Sequence, residues 1–306
     1  MWDGVINESH LYASLWLTVH TYERDGSQSK LVGSGTGFVM ERTLLGRWHH
    51  KGILITNRHI LDPDYIKFTG KKVDRLEING FRQDTWRKHP AGKAEPIRFT
   101  ISSPEPIFAS DGADIAAIDL DKAEIPGGCP ELTQLSSLRL AGSDDFAHRI
   151  HVGAQVITTG YPSIDQVTGP RPILVSGTIA SDPRESAAIG ADFFPECVLC
   201  HSFSWGGMSG SPVFALLTRN EESFSTWDDI ERKDPRELRL VGVNRGHVRI
   251  GGSAEGALTY FAKSTVLGQL LRGMGVNILQ RVDEYGEDDR EPLLQEEIHL
   301  HENKGE

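Results

Sequence analysis

Short apolar runs separated by turn-forming residues recur along most of the chain. They lie at residues 15–19, 52–56, 115–118, 154–158, 173–176 and 238–243. No long amphipathic helical pattern interrupts them before residue 260. Many short strands without alternating helices are typical of a β-sandwich or β-barrel rather than a parallel α/β sheet. The pattern therefore predicts an all-β fold.

A single helical pattern follows at residues 264–274. Its apolar residues recur at the spacing of one helix face, at positions 267, 270, 271 and 274. Ser264 is a suitable N-cap residue, and Gly275 is suited to ending the helix. We expect one C-terminal α-helix that closes the domain.

Three segments lack either pattern. Residues 281–306 are acidic and poor in aromatic residues, so we expect a disordered, solvated tail that follows a domain at residues 1–280. Residues 69–93 are rich in Lys and Arg, and residues 219–236 are dense in charge. We predict that both are surface loops.

The distribution of charge argues against a nucleic-acid partner. The formal net charge of the 306 residues is −11; ten acidic and two basic residues at positions 283–306 account for −8 of it, which leaves −3 for the rest. A nucleic-acid-binding surface needs clustered Lys and Arg to displace counterions from phosphates. The nearly neutral body, with 38% hydrophobic residues in the whole chain, can bury the core of one large β domain or two small ones.

The N-terminal residues and the cysteines favour a cytoplasmic protein without a membrane partner. Asp3 and Glu8 stand where a secretion signal carries basic residues, and the longest apolar run there is too short to cross a bilayer. The three cysteines, Cys129, Cys197 and Cys200, cannot all pair in disulfides. Secreted domains often depend on several disulfides, so the count agrees with a reducing compartment.

Ser209 is a candidate nucleophile. Residues 206–213 read Gly-Gly-Met-Ser-Gly-Ser-Pro-Val, which surrounds Ser209 with glycines before an apolar strand. Glycines let the backbone approach a substrate carbonyl closely and direct successive N–H groups to one point. The amides of Gly207 and Ser209 could form an oxyanion hole in such a turn. By itself, a glycine-rich turn with a serine is most often only a turn.

A serine nucleophile needs a neighbouring imidazole as general base at neutral pH. Twelve histidines are present, and His59 lies near the end of the apolar run at residues 53–61. A buried strand there delivers the side chain into a turn, which makes it rigid yet accessible. The other histidines have the contexts of ordinary surface or hydrogen-bonded residues. We predict that His59 is the base.

The base must be oriented by a carboxylate that stays ionised while partly buried. Asp114 directly precedes the apolar run at residues 115–118, so its side chain is expected at the edge of the core. Asp119 and Asp121 follow this run and are expected to face solvent. Asp111 has little around it to fix its position. We predict that Asp114 orients His59.

Three motifs in this order resemble those of the trypsin/chymotrypsin family of serine peptidases. They are Thr-Asn-Arg-His at residues 56–59, Asp-Ile-Ala at residues 114–116 and Gly-Met-Ser-Gly-Ser-Pro at residues 207–212. The glycine-rich residues 33–39 are similar to the strand that opens such domains. The resemblance spans about residues 31–274 and is strongest to bacterial trypsin-like peptidase domains related to the Deg-type heat-shock proteases.

The resemblance implies two six-stranded β-barrels, at roughly residues 1–125 and 126–262, with a catalytic triad in the cleft between them. It makes Ser209 the nucleophile, His59 the general base and then acid, Asp114 the orienting residue, and the amides of Gly207 and Ser209 the oxyanion donors. The implied activity is that of a serine endopeptidase, which cleaves protein or peptide substrates through an acyl-enzyme. No metal or cofactor is expected.

The same resemblance indicates substrate-binding residues and two departures. Phe203 lies where the base of the primary pocket is expected and indicates a shallow or apolar pocket. The strand that contains Val243, Asn244 and Arg245 is similar to the one that pairs with the substrate backbone. Arg245 replaces a small residue, which would restrict substrate access. Met208 replaces the acidic residue that pairs with a newly cut amino terminus in digestive members, so that route of activation is absent.

Other interpretations stay open. Residues 197–201 match the letters of a c-type haem attachment site, but they form a β-type run into the nucleophile loop, and a zinc site would need a second cysteine pair. A protease-fold module that binds peptides without cutting them, or an esterase with the same triad, is the main alternative. We also expect a latent free site, in which a partner or substrate orders the loop at residues 206–209.

Overall fold

The computed structural model describes residues 8–22, 30–44, 47–66, 69–81, 94–110, 112–163, 171–189, 192–194, 196–218, 236–248 and 256–276. The tail predicted at residues 281–306 and nearly all of the loop predicted at residues 219–236 lie outside this part of the chain. None of the helices within it has the length and apolar character needed to cross a membrane.

Strands make up most of the described chain, as predicted. They are β1 (Ser14–Tyr22), β2 (Lys30–Leu44), β3 (Arg47–Thr56), β4 (Lys72–Phe81), β5 (Pro96–Ser102), β6 (Ile107–Phe108), β7 (Ala116–Asp119), β8 (Gln134–Leu135), β9 (Gln155–Gly160), β10 (Ile173–Ile179), β11 (Ala187–Ile189), β12 (Asp192–Phe194), β13 (Cys197–Ser204), β14 (Pro212–Thr218), β15 (Arg236–His247) and β16 (Gly256–Lys263). The α-helices among the described residues are α1 (Glu8–Tyr12), α2 (Arg58–Leu61) and α3 (Ser264–Gly273).

The N-terminal half forms one sheet, in the order β5-β4-β1-β2-β3-β7-β6, with β8 beside β2. Neighbours in this order are antiparallel, whereas β8 runs parallel to β2. A bridge between Ser102 of β5 and Glu124 beyond β7 brings the two edges together, so the sheet curls around its own core. Its eight strands exceed the six expected because the two-residue strands β6 and β8 join six longer ones.

The C-terminal half forms a closed barrel of six strands in the order β10-β13-β16-β15-β14-β9. All of its pairs are antiparallel. The interior is filled by alternate residues of these strands, among them Val156, Val198, Val213 and Phe261. The prediction of an all-β, double-barrel architecture with a C-terminal helix is confirmed.

The prediction of a surface loop at residues 69–93 is wrong for its first part, which forms β4. This strand pairs with β1 on one side and β5 on the other. Leu76 and Ile78 are fully buried, while Glu77 between them stays partly exposed. The many Lys and Arg residues of this segment concealed a period-two alternation that predicts a strand.

Helix α3 matches the helix predicted at residues 264–274, but its N-cap residue is Lys263. Ser264 lies inside the first turn, and its hydroxyl donates to the carbonyl oxygen of Ala141 at 2.7 Å. Its prediction as the N-cap is therefore wrong, because a tertiary hydrogen bond takes the hydroxyl that would have capped the helix. Gly275 has a φ of +76° and follows the last turn, as predicted.

One apolar cluster joins the two halves of the molecule. Its buried members come from the N-terminal sheet, the C-terminal barrel and α3, and they include Phe38, Ile55, Phe214, Val243, Leu267 and Leu271. Burying one such side chain contributes about 1.5–3 kcal/mol relative to leaving it exposed. The two halves therefore pack as one body, which fixes the loops that meet between them.

Two phenylalanines on neighbouring stretches of chain test this packing. Phe214→Ala removes a side chain that is fully buried in the shared cluster, and we expect it to lower the free energy of unfolding by about 3–5 kcal/mol. Phe203→Ala removes an exposed ring and should change the same quantity by less than about 0.5 kcal/mol. Urea denaturation measures both. Similar losses in the two variants would contradict the described core.

Candidate active site

His59 follows β3 and lies in the short helix α2, with its side chain partly exposed. The preceding residue, Arg58, holds this turn in place. Its guanidinium lies over the rings of Tyr65 and Phe108, at 4.8 and 4.6 Å from their centroids, and pairs with Asp62 at 3.0 Å. These contacts fix the backbone of α2 while one side of the imidazole stays accessible.

Asp114 lies just before β7, and its side chain is only 1% exposed. Its Oδ2 atom is 2.6 Å from Nδ1 of His59, and its Oδ1 atom accepts a hydrogen bond from the backbone N–H of His59 at 2.9 Å. Asn57 donates from Nδ2 to the carbonyl oxygen of Asp114 at 2.7 Å. Because an ionised carboxylate can only accept, Nδ1 carries the proton and Nε2 of a neutral imidazole is left as an acceptor.

The competing carboxylates either contact other charged residues or lie outside the described residues. Asp119 was expected to face solvent, but it is buried and pairs with Arg42 at 2.9 Å. Lys122 lies 3.5 Å from the same carboxylate, and Asp121 lies 3.9 Å from Arg42. Asp111 is outside the described residues. Among the described candidates, Asp114 has the contact to His59.

Ser209 lies in a loop between β13 and β14 whose successive carbonyls all accept hydrogen bonds. The donors are Ser163 N for Gly206 at 2.6 Å, Thr36 Oγ1 for Gly207 at 2.7 Å, Asn244 Nδ2 for Met208 at 2.8 Å and Thr36 N for Ser209 at 2.8 Å. The surrounding residues therefore hold this loop in one shape. The expectation that a partner or substrate orders this loop stays a prediction.

Among the described contacts, some amides of the same loop have no acceptor, and those of Gly207 and Ser209 are among them. The N–H of Met208 donates to the carbonyl oxygen of Trp205, and the N–H of Gly210 donates to that of Asn244. Within the described part of the chain, the amides of Gly207 and Ser209 have no such partner. Closely spaced N–H groups of this kind can bind one anionic oxygen together. They are the two amides predicted as oxyanion donors.

Ser209 and His59 belong to different halves of the molecule, and Gly35 of β2 lies close to both of the segments that carry them. A Cβ atom built on Gly35 would lie 2.1 Å from Cδ1 of Ile60 and 3.2 Å from the carbonyl oxygen of Ser209, so a larger residue there would displace the end of the Ile60 side chain. The Ser209 hydroxyl donates to the carbonyl oxygen of Arg245 at 3.3 Å. Among the described contacts, His59 is hydrogen-bonded to Asp114, whereas no hydrogen bond joins Ser209 to His59.

Comparison with known proteins identifies the family. The sequence model of the trypsin-like peptidase domain matches residues 35–219, which include His59, Asp114 and Ser209. The chain belongs to the trypsin-like peptidase family. No curated protein sequence matches it. Among solved structures, it is similar to the crystal structure of Deg5, with 14% sequence identity, a TM-score of 0.46, and coverage of 87% of this chain and 88% of that chain.

Arg245 occupies an unusual place for a trypsin-like peptidase. It was predicted as a substrate-binding residue that restricts access, yet its guanidinium turns away to Asp114, with Nε 3.2 Å from Oδ2, and lies 5.7 Å from the ring centroid of Tyr260. Burial works to lower the pKa of Arg245, but the charge of Asp114 and the neighbouring Tyr260, Tyr65 and Cys197 together outweigh it and raise the pKa above its ordinary value. The backbone carbonyl of Arg245 faces Ser209.

Phe203 does not form the floor of an enclosed pocket. The neighbouring Ser202 and Ser204 are buried, so the alternation of β13 directs Phe203 outward, where it is 59% exposed. Its ring stacks on Trp205 with centroids 6.1 Å apart. The two rings provide apolar surface, and the prediction that Phe203 contributes to a shallow or apolar substrate pocket stays a prediction.

Val243 and Asn244, also predicted to bind substrate, have buried side chains. Val243 packs in the cluster that joins the two halves, and Asn244 binds the nucleophile loop. Strand β14 pairs with β15 only as far as Val243, while Gly246 and His247 pair with β16. The backbone of Asn244 is bound by Gly210 and Ser211, so the backbone beyond Asn244 is the part of β15 that can meet a substrate.

Thr36 was not among the predicted site residues, although it contacts Gly207, Ser209 and Tyr161. It lies within the glycine-rich residues 33–39, which the sequence analysis singled out only as a strand. The sequence signal that could have found Thr36 is its position between two glycines of a buried strand. Flanking glycines allow another segment of the chain to approach closely.

The cysteines of residues 197–201 lie on opposite sides of β13. Cys197 packs in the cluster shared by both halves, and Cys200 packs inside the barrel. Burial raises the pKa of the Cys200 thiol to about 12 and also raises that of Cys197. Two buried thiols that face different cores cannot attach to one haem. No group of three or more potential metal ligands occurs among the described residues.

The Arg245–Asp114 pair can be tested by changing the cation. Arg245→Gln removes the charge and leaves the buried carboxylate with fewer partners, and we expect it to lower the free energy of unfolding by about 1–3 kcal/mol. Arg245→Lys retains the charge and should lower the free energy of unfolding by less than Arg245→Gln does. Urea denaturation at neutral pH measures both. Equal losses in the two variants would contradict a stabilising charge pair.

Thiol reactivity tests the burial of the cysteines. At mildly alkaline pH, Cys129 should react with a disulfide reagent in the folded protein because it is only partly buried, although burial raises its pKa as well. Cys197 and Cys200 should react only after unfolding in urea. Peptide mapping of the labelled protein identifies the reacting thiols. Rapid labelling of Cys200 in the folded state would contradict the barrel core described above.

Proposed function

We propose that this trypsin-like peptidase is an active serine endopeptidase with Ser209 as nucleophile, His59 as general base and then acid, and Asp114 as the orienting residue. The observation that carries the proposal is the pair of hydrogen bonds from His59 to the buried carboxylate of Asp114. They fix the ring and its tautomer, with Nε2 as the atom that can take a proton from Ser209.

The chemical step follows from these roles. Nε2 of His59 takes the hydroxyl proton as Ser209 Oγ attacks the scissile carbonyl, and the carbonyl oxygen becomes an oxyanion between the amides of Gly207 and Ser209. The imidazolium then protonates the leaving amine as the C–N bond breaks, which leaves an acyl-enzyme on Ser209. Water, deprotonated by His59, hydrolyses this ester and restores the hydroxyl.

The resting hydroxyl must turn before it attacks. Its bond to Arg245 at 3.3 Å is long for an O–H donor and a carbonyl acceptor. Catalytic hydrogen bonds are often poorly aligned in free enzymes and shorten when substrate binds. We propose that rotation about the Cα–Cβ bond of Ser209 moves the hydroxyl from Arg245 to His59.

Substrate binding is proposed to use the part of β15 beyond its pairing with β14. A peptide in extended conformation can add to the backbone beyond Asn244 by main-chain hydrogen bonds, as in other cases of strand addition. The exposed ring of Phe203 and the partly exposed ring of Trp205 lie on the chain that leads into the nucleophile loop and provide apolar surface. They support a preference for an apolar side chain near the cleavage site.

A second candidate function is peptide binding without cleavage. The observation that favours it is that, among the described contacts, the Ser209 hydroxyl donates to Arg245 and not to His59. An activating partner would then be needed to bring the hydroxyl to His59. An esterase would use the same three residues and is separated from a peptidase by its failure to cleave amides. A cytoplasmic location also stays a prediction; the three free thiols agree with it.

Labelling with a fluorophosphonate probe tests the nucleophile. The wild-type chain should be labelled, and Ser209→Ala should abolish labelling because the reacting oxygen is gone. Ser34→Ala, which changes an exposed serine of β2, is the matched control and should leave labelling unchanged. Labelling of Ser209→Ala equal to that of the wild-type chain would exclude Ser209 as the nucleophile.

Hydrolysis of an unfolded protein such as casein tests the complete reaction. Asp114→Asn should lower kcat on the order of 10⁴-fold, as orientation and tautomer of His59 are lost. His59→Ala should cause a loss of similar order. Labelling without cleavage of casein or amide peptides, but with cleavage of esters, would indicate an esterase. Neither labelling nor cleavage by the wild-type chain would favour the binding module.

A further inference from the structure

The loop that presents Ser209 is held by two buried polar side chains from opposite halves of the molecule. Thr36 belongs to β2 of the N-terminal sheet and is fully buried. Asn244 belongs to β15 of the C-terminal barrel and is almost fully buried. Both side chains donate to carbonyl oxygens of the loop, Thr36 to Gly207 and Asn244 to Met208.

The hydrogen bond of Asn244 determines the direction of one oxyanion donor. The carbonyl of Met208 and the N–H of Ser209 belong to one planar trans peptide, so they point in opposite directions. Because Nδ2 of Asn244 holds the Met208 oxygen at 2.8 Å, the Ser209 N–H is directed away from Asn244. The backbone of Asn244 also binds the chain after Ser209, since its carbonyl accepts from Gly210 and its N–H donates to Ser211, both at 2.8 Å.

Thr36 holds the two peptides that alternate with the oxyanion donors. Its hydroxyl donates to Gly207 at 2.7 Å and accepts from the N–H of Tyr161 at 3.0 Å, while its backbone N–H donates to the Ser209 carbonyl at 2.8 Å. Its carbonyl accepts from the hydroxyl of Thr56 at 2.7 Å. All hydrogen-bonding groups of Thr36 are therefore used at this junction.

Close packing shows that the loop fits tightly against β2. Gly210 has a φ of +86°, and a Cβ atom built on it would lie only 2.0 Å from the carbonyl oxygen of Thr36. Any residue larger than glycine would clash with Thr36 at position 210. The side chain of Met208, at the position where digestive relatives have an acidic residue, is fully buried. No charge at this position takes part in shaping the loop.

We propose that Thr36 and Asn244 are positioning residues that keep the oxyanion hole in its catalytic shape without an activating cleavage or a bound partner. The inference rests on the serine-peptidase function proposed above. It adds that the purified chain has a preformed oxyanion hole, in place of the latent loop that the sequence led us to expect. Neither residue touches the reacting atoms; each acts through the loop peptides that it binds.

Substitution of Thr36 gives a matched pair of variants. Thr36→Val keeps the shape of the side chain but removes the hydroxyl, and Thr36→Ser keeps the hydroxyl. We expect Thr36→Val to lower kcat for a peptide substrate on the order of tenfold with little change in KM, because an oxyanion hole binds the transition state rather than the substrate. Thr36→Ser should stay within about threefold of the wild-type kcat.

Asn244 provides a second, independent measurement. Asn244→Leu removes the donor to Met208 while retaining an apolar side chain of similar size, and we expect a loss of kcat on the order of 100-fold, as for a donor displaced by about 1 Å. If this variant fails to fold, Asn244→Asp removes the same donor with less change in shape and replaces it in the test. Urea denaturation and circular dichroism establish that each variant is folded.

The outcomes separate the two proposals. Wild-type labelling and cleavage, with kcat lowered in Thr36→Val and Asn244→Leu and retained in Thr36→Ser, supports the positioning role. Wild-type activity that both folded donor-free variants retain, or equal losses in Thr36→Val and Thr36→Ser, overturns it. A folded wild-type chain that neither labels nor cleaves peptides without an added partner overturns the preformed oxyanion hole. If labelling and cleavage then appear with such a partner, the proposed function survives and only the positioning inference fails.

Discussion

The buried carboxylate of Asp114 is the constraint around which the cleft is arranged. A side chain that is 1% exposed can stay ionised only if donors surround it, since an unpaired buried charge costs several kcal/mol. The donors come from both halves of the molecule, His59 from the N-terminal half and Arg245 from the C-terminal barrel. Satisfying one charge therefore fixes the relative position of the two sheets and of the groups proposed for catalysis.

The apolar cluster between the halves also fixes their relative position. Phe38 of the N-terminal sheet and Phe214 of the C-terminal barrel are both fully buried in it, and helix α3 covers part of it. Close-packed interiors transmit displacements, because they contain few voids that could absorb them. Hydrogen bonds that cross from β2 to the nucleophile loop can therefore keep their geometry, although they join residues far apart in sequence.

The sequence was most informative where function depends on local motifs. Ser209 among glycines and His59 at the end of an apolar strand could be proposed as nucleophile and base, since the proposed chemistry requires such neighbours. The roles of Arg245 and Asn244 could not be predicted, because they arise from contacts with residues of other elements. The outward direction of Phe203 was predictable in principle from the small polar residues on either side of it.

Similar limits apply to the fold. The closed C-terminal barrel follows from regular apolar alternation, whereas β4 was hidden by its charged, outward-facing residues. The short strands β6 and β8 have two residues each, too few for any periodic signal to appear. Their pairing depends on where the longer strands bring the chain, which only the three-dimensional structure defines.

The hydrogen bond from Ser209 to the carbonyl of Arg245 affects when the hydroxyl can act as a nucleophile. That carbonyl lies on the stretch of β15 where a peptide strand would dock, and strand addition brings an N–H group to such an acceptor. An arriving strand would then compete with the hydroxyl for the same oxygen and release it toward His59. In a peptidase built in this way, a chain in extended conformation in the cleft would favour the orientation of the hydroxyl toward His59, so the substrate itself would contribute to activating the nucleophile.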